Sequence, residues 1–464
     1  MTTLGVETPS LQRSRSPTPL NLKDLVHEFI VQMRNEKNSE AHQIFRSYPG
    51  HANKGMPQTV NPDEETVPGI QHPGSTGVIY CTDRAMANGF TYGNPEWANL
   101  GQGAPEVGEI PDAAPRPQTV TLSHDSLEYA PTTGVKELRM AVADLYNRTY
   151  RQDKESKYTH ENVCIVPGGR AGLSRVAAVI GDVYCGYQVP EYTTYSEVLS
   201  VFKRLVPIPT ALTPESRYKI DINQAKKDIG SQGLQVIVAS NPRNPTGMVV
   251  QGEELKDLVR LCDNHCTVVL DEFYSWYIYP ENEEEPGKSI SGAAYVESSF
   301  LDGGANHPLQ LAAIPLLTEE HVNKEKLALQ KHFRAKRDHV LKRLKKIGLE
   351  VSIPPEATFY IWLDLRALPA PLNDGLTFFE ELLKEKTIVV PGIFFEINPS
   401  HRRDLFSSPC HHFVRISYGP PIEDLNKGLD GIERVMRKAK RHGMGSMGVD
   451  LVKSPVQDHF PGVQ

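Results

Sequence analysis

Through the middle of the chain, short uninterrupted apolar runs alternate with stretches of helical periodicity. Residues 163–167, 236–239 and 267–271 are such runs, and residues 134–150, 170–180 and 252–265 carry apolar residues at three- and four-residue spacing. A strand that is apolar at every position suits a sheet covered on both faces, so the pattern predicts a mostly parallel sheet flanked by helices. We assign this α/β domain to residues 118–315. Beyond it the sequence predicts a long charged helix over 319–347, a strand over 359–364, a helix over 376–386, strands over 388–391 and 413–417, and a helix over 422–440. These make a smaller α+β domain spanning 316–440.

The flanks read differently. Residues 1–20 are rich in Ser, Thr, Pro and Arg and cannot bury enough surface to offset chain entropy, so a disordered tail is expected. Within residues 21–117, assigned to the small domain and a dimer contact, Asn21 is placed as the cap of a helix reaching to about residue 48, with Leu22, Leu25, Val26, Phe29, Ile30 and Met33 at helical spacing. Residues 49–117 are dense in Pro, Gly and Asn and predict an arm of turns that wraps a partner surface. Residues 441–464 are expected to be disordered.

Composition excludes several functions. Lys plus Arg number 50 against 57 for Asp plus Glu, a net charge of −7, which argues against nucleic acid as the partner. No apolar run reaches the roughly 18 residues of a membrane span, and the first twenty residues lack a signal-peptide core, so a cytoplasmic protein is expected. The six cysteines are too sparse for a disulfide scaffold. The groupings Cys262, His265, Cys266 and Cys410, His411, His412 lack the paired spacing of a zinc site, so no metal is expected.

Three segments carry chemistry. Val166-Pro-Gly-Gly-Arg-Ala-Gly-Leu-Ser-Arg175 runs from a strand into a helix through glycines, where free backbone N–H groups suit a phosphate or simply make a turn. Ser240-Asn-Pro-Arg-Asn-Pro-Thr-Gly247 follows an apolar run directly and fixes Asn244 at the carboxyl end of a strand, where α/β proteins bind ligands. Thr267-Val-Val-Leu-Asp-Glu-Phe-Tyr274 delivers Asp271 at the end of a buried strand and Tyr274 just beyond it. A carboxylate there can pair with a protonated ring nitrogen, or serve as an ion pair or helix cap.

In this order and spacing the segments resemble the class I and II pyridoxal-phosphate (PLP) aminotransferases, from about residue 100 to 440. The resemblance implies fold type I and a homodimer. It also implies that Gly169 and Arg170 bind the cofactor phosphate, that Tyr192 stacks on the ring, that Asn244 and Tyr274 hold the ring hydroxyl, and that Asp271 keeps the ring nitrogen protonated. By the same resemblance Arg415 takes the substrate α-carboxylate, with Asn244 and Gly103 beside it, and Tyr129 reaches the phosphate of the neighbouring subunit. The implied reaction passes an amino group from an amino acid to a 2-oxo acid. The run Glu272–Tyr279 and the run Phe300–His307 look most like fungal secondary-metabolite transaminases, such as those of alkaloid pathways.

One departure matters. The family needs a lysine that forms a Schiff base and moves a proton, on a Ser-x-Ser/Thr-Lys turn followed by an arginine. No such turn occurs anywhere in the chain. Lys288, 17 residues after Asp271, stands in an acidic Pro/Gly loop and is a poor substitute. A segment on the order of 40 residues, enough for two strands and their crossover, is therefore expected to be missing near Glu297/Ser298. Either a full-length transaminase has lost an exon, or the short chain is real and inactive. Other open readings are a non-catalytic PLP-binding protein or partner subunit, and a PLP lyase or cyclopropane-carboxylate-synthase-like enzyme.

Overall fold

The computed structural model describes residues 39–47, 77–201, 205–262, 266–280, 304–399 and 408–443. In chain order the elements are helices α1 (Glu40–Ser47) and α2 (Gly77–Ala87), strand β1 (Ala98–Asn99), helices α3 (Lys136–Tyr150) and α4 (Gly169–Val179), strand β2 (Tyr184–Val189), helix α5 (Tyr195–Val201), strand β3 (Val206–Ala211), helix α6 (Ile222–Gln232), strand β4 (Leu234–Ser240), helix α7 (Gly252–Cys262) and strand β5 (Thr267–Asp271). There follow α8 (His307–Ala313), α9 (Glu319–Ile347), β6 (Tyr360–Asp364), α10 (Gly375–Lys384), β7 (Thr387–Ile388), β8 (Val390–Pro391), β9 (Phe413–Ser417) and α11 (Ile422–Gly443).

The α/β expectation is met by a parallel sheet in the order β3-β2-β4-β5, with helices in the connections. Ser240 of β4 stands opposite Asp271 of β5, so the loops after both strands leave from one edge. The loop after β2 joins them there, which is where an open α/β sheet offers a binding crevice.

The second half of the chain forms an antiparallel sheet, β6-β9-β8, in which Arg415 is opposite both Trp362 and Val390. Helix α9 spans the predicted residues because Val322, Leu329, Phe333, Val340, Leu344 and Ile347 make one buried face. Glu319 and Glu320 in its first turn and Lys345 and Lys346 in its last complement the helix dipole, and Gly348 ends it in the left-handed conformation. Phe359 packs edge-on against both Tyr274 and Tyr277, and Tyr277 edge-on against Phe333 of α9, joining the turn after β5 to this second region.

Several expectations need correction. Residues 163–167 form no strand: the run is half-buried, and the Ile165 N–H bonds to Thr133 O at 2.9 Å rather than to a neighbouring strand. An apolar run needs a ladder partner as well as a cover. The arm is not all turns, because α2 buries Tyr80, Cys81 and Ala85. Two of its described residues pair within this chain, Arg84 with Glu380 and Glu106 with Lys336, both in the C-terminal half. Strands β2 and β3 were not expected; Pro207 and Pro209 disguise β3, an edge strand where proline is tolerated. Strand 388–391 divides into β7 and β8, which join different sheets. Of the helix expected from Asn21, Glu40–Ser47 is present; helix α11 runs on to Gly443, into the tail expected to be disordered from residue 441, and residues 1–38, Tyr48, Lys288 and residues 444–464 lie outside the described residues.

Candidate active site

Asn244 is the hub. Its position follows from the turn after β4, where Gly247 adopts φ +71° and a Cβ at that glycine would come within 2.3 Å of Pro355 Cβ. Only glycine lets the turn close against residues 355–357, whose Glu356 and Ala357 N–H groups donate to Gly247 O. Buried Asn244 donates from Nδ2 to Tyr274 Oη at 3.4 Å and accepts at Oδ1 from Arg415 Nη1 at 3.0 Å.

Arg415 is 2% exposed and also donates from Nη2 to Gly101 O at 2.8 Å. Its guanidinium lies 4.1 Å from the centre of the Tyr360 ring, and its Nε has no hydrogen-bond partner among the described residues. That buried N–H remains to be satisfied by an acceptor such as a carboxylate. Gly103 belongs to the same wall: a Cβ there would approach Tyr360 Oη to 2.9 Å.

Asp271 accepts from Tyr195 Oη at 3.2 Å and from the Phe273 N–H at 3.3 Å. Burial pushes its carboxyl up against the effect of those two bonds. Neither donor is a cation, so the charged form lacks a counter-ion, and a protonated ring nitrogen would supply one. Burial likewise raises Tyr274, whose phenol shares a 3.0 Å hydrogen bond with Tyr360 Oη.

The start of α4 has no side-chain cap, and nothing lies within 4 Å of a Cβ built at Gly168 or Gly169. Arg170 leaves the turn to donate from Nε to Tyr192 Oη at 3.2 Å. This open N-terminus suits an anion, and Tyr192 presents a ring beside it. Carboxylate, amide, phenol, ring and open helix start are the donor set a phosphorylated pyridine needs. Among the described residues, no hydrogen bond to Asn244, Asp271, Tyr274 or Arg415 comes from a lysine.

The structure thus groups Gly103, Asn244, Asp271, Tyr274 and Arg415, and sets Arg170 against Tyr192. Tyr129 does not join them; it is 90% exposed. Sequence reasoning missed Tyr195, Tyr360 and the buried pair Glu191 and Arg243. The first two are aromatic residues in apolar surroundings, which read as core; the charged pair is 52 residues apart, and no local pattern joins its members.

Comparison with known proteins agrees with this geometry. The family described as "Aminotransferase class I and II" matches residues 95–297 and 288–432. The aspartate/prephenate aminotransferase of Thermus thermophilus is 26% identical over 354 residues, covering 68% of this chain and 86% of that protein. A valine–pyruvate aminotransferase of Mycobacterium tuberculosis is 26% identical over 367 residues, covering 71% of this chain and 89% of that protein. Among solved structures, an aminotransferase from Mycobacterium tuberculosis superposes with a TM-score of 0.63 at 20% identity, covering 80% of this chain and 98% of that one. Thermus thermophilus aspartate aminotransferase with maleate gives 0.60 at 21%, covering 78% and 96%. These structural likenesses establish the PLP fold type I architecture, and by the family match the chain belongs to the class I and II aminotransferases, which are PLP-dependent enzymes.

Proposed function

We propose that the crevice at the carboxyl edge of the parallel sheet binds PLP together with an amino acid or a 2-oxo acid, and that the chain as it stands lacks the lysine for efficient transamination. The observation that carries the binding part is Asn244 bonded to both Tyr274 and Arg415, with Asp271 on the adjacent strand. PLP, when bound, supplies an electron sink to the substrate Cα. Asp271 would hold a proton at the ring nitrogen, Tyr192 would cover the ring, Asn244 and Tyr274 would orient the ring oxygen, and Gly169 and Arg170 would take the phosphate. Arg415 would bind the substrate carboxylate beside Gly103 and exclude water from it.

Three observations support a missing segment near Glu297/Ser298. The family match breaks into two pieces that meet at residues 288–297. The match to the Thermus protein runs over 354 residues, although 68% of a 464-residue chain is only about 315. Strand β5 pairs with β4 alone among the described residues, and the extended run at 163–166 has no strand beside it. Loss of positioned proton transfer costs on the order of 100- to 10,000-fold in rate.

The same proposal covers a division into a PLP-binding domain at 118–315 and a small domain at 316–440, and a homodimer. Supporting the dimer, exposed Leu127, Tyr129 and Leu309 lie on segments in contact with one another, and Tyr129 is free to reach a neighbouring copy. A biosynthetic setting in a fungal secondary-metabolite pathway rests on the resemblance of residues 272–279 and 300–307, and a cytoplasmic location is part of the same proposal. Among the described residues, no helix is long and apolar enough to cross a membrane.

The test is to sequence the transcript across the codons for Glu297 and Ser298 and to treat the purified protein, loaded with PLP, with borohydride. An added segment with a Ser-x-Ser/Thr-Lys turn makes the chain a shortened copy of an active transaminase. A continuous junction, with cofactor that borohydride does not fix to the protein, makes it a non-catalytic PLP-binding protein. A lysine adduct on the chain as given would overturn the missing-lysine proposal.

A further inference from the structure

We infer that the buried pair Glu191 and Arg243 is the positioning device of the site, holding Tyr192 and Asn244 in register across loops that leave two different strands. This rests on the cofactor reading above, since Tyr192 is placed there over the ring and Asn244 at the ring oxygen.

Glu191 follows the end of β2 and directly precedes Tyr192; Arg243 directly precedes Asn244 in the turn after β4. The two are 0% and 2% exposed. Four donors converge on the Glu191 carboxylate: the Tyr192 N–H at 2.9 Å, the Ser240 N–H at 3.2 Å, the Ser240 hydroxyl and Arg243 Nη1. The Ser240 hydroxyl oxygen in turn accepts the Asn244 N–H at 3.3 Å. One carboxylate therefore ties the backbone of the ring-facing tyrosine to the strand end and turn that carry Asn244. Its own N–H donates to Phe395 O at 3.1 Å, and the Phe395 ring lies 5.1 Å from the Arg415 guanidinium, so the tie extends to the residue beneath Arg415.

Stability alone does not call for such a pair, because well-packed apolar residues of similar volume serve as well or better. Burial raises the Glu191 carboxyl and Arg243 opposes it, so removing one partner strands a charge in the interior. What the pair supplies is direction. A carboxylate held by fixed donors sets the angle at which Tyr192 leaves its loop, and hydrophobic packing cannot do this. The pair also borders the neighbour of Asp271: burial first, then Asp271 and Glu191, push the Tyr195 phenol up, and Arg243 opposes them.

The experiment titrates the full chain with pyridoxamine 5′-phosphate by calorimetry, comparing the parent with Glu191→Gln, Arg243→Met and the double variant, each checked for folding by circular dichroism. Each single variant is expected to weaken binding on the order of 10-fold, and the double variant to recover most of that loss because no charge is left unpaired. Arg243→Lys, which keeps the charge but loses the planar fork, is expected between parent and Arg243→Met, and replaces it if that variant does not fold. A parent that binds while the single variants bind equally well overturns this inference and leaves the cofactor site standing. Singles that lower the unfolding midpoint without changing affinity overturn it too, in favour of a structural role. A parent that does not bind overturns the cofactor reading and this inference together.

Discussion

The edge strands of the parallel sheet and the strands of the antiparallel β6-β9-β8 sheet are buried to very different degrees. Every residue of β9 and all but the last of β6 are buried, whereas β5 has an exposed first residue and is otherwise half-buried, and β3 has no buried residue. Parallel strands are normally covered on both faces, so a half-covered β5, paired on one side only among the described residues, is unlike its class. The difference teaches that the best-buried strands of the described fold lie in its C-terminal half, and that β5 pairs with β4 alone among the described residues. The site lies across the junction: Asp271 comes from the thinly covered edge strand β5 and Asn244 from the turn after well-buried β4, Arg415 and Tyr360 from the antiparallel sheet.

The contrast breaks most visibly if the sheet is completed. Inserting after Glu297 a family segment with the Ser-x-Ser/Thr-Lys turn and its arginine is expected to raise transamination on the order of 100- to 10,000-fold over the chain as given. An unchanged rate in the half-reaction with an amino acid would mean that proton transfer was not what the chain lacked.

Next in size comes a pair of core truncations. Phe333→Ala, at a fully buried position of α9, is expected to cost about 3–5 kcal/mol in urea unfolding. Val268→Ala in half-buried β5 should cost about 1 kcal/mol or less. Equal losses would mean that both regions carry the fold alike.

Gly247→Ala probes the junction itself. Left-handed backbone and the approach of Pro355 together predict a loss of about 1–3 kcal/mol, read from the same unfolding curves. No loss would show that residues 355–357 can move away from the turn.

The smallest effect is a pH dependence confined to the well-packed half. Asp374 caps α10 by accepting the Thr377 N–H at 2.9 Å, and His42 of α1 lies 3.1 Å from its other oxygen. Burial raises its carboxyl, but the hydrogen bond and charge of His42 and the Thr377 donors outweigh burial, and the net shift is below the usual 3.8. Its contribution, on the order of 1 kcal/mol, is therefore complete above that value and lost as pH falls through the lowered one. Asp374→Asn should remove this acid limb from the pH profile of the unfolding midpoint; an identical profile would assign the limb to other carboxylates.

Legibility in the sequence followed the range of the forces involved. Helix α9 and strand β5 were expected with the bounds they have, because a continuous buried face or an unbroken apolar run is written in adjacent residues. The turn carrying Asn244 was expected for the same reason. Helix α2 was hidden in a Pro- and Gly-rich stretch, since its helicity depends on the buried contacts of Tyr80 and Cys81 rather than on local preference. The run at 163–167 failed in the opposite sense, having a strand's composition without a strand to pair with.

By itself, then, the sequence determined the residue types at the ends of the strands, the absence of a Ser-x-Ser/Thr-Lys turn, and the order in which the chemistry arrives along the chain. Only the tertiary structure decided that Arg415 bonds to Asn244, that Tyr360 stands between Arg415 and Tyr274, and that Glu191 finds Arg243 in the interior. Those partners are 52 to 171 residues apart, and their meeting depends on how strands align and layers pack, which no local spacing encodes.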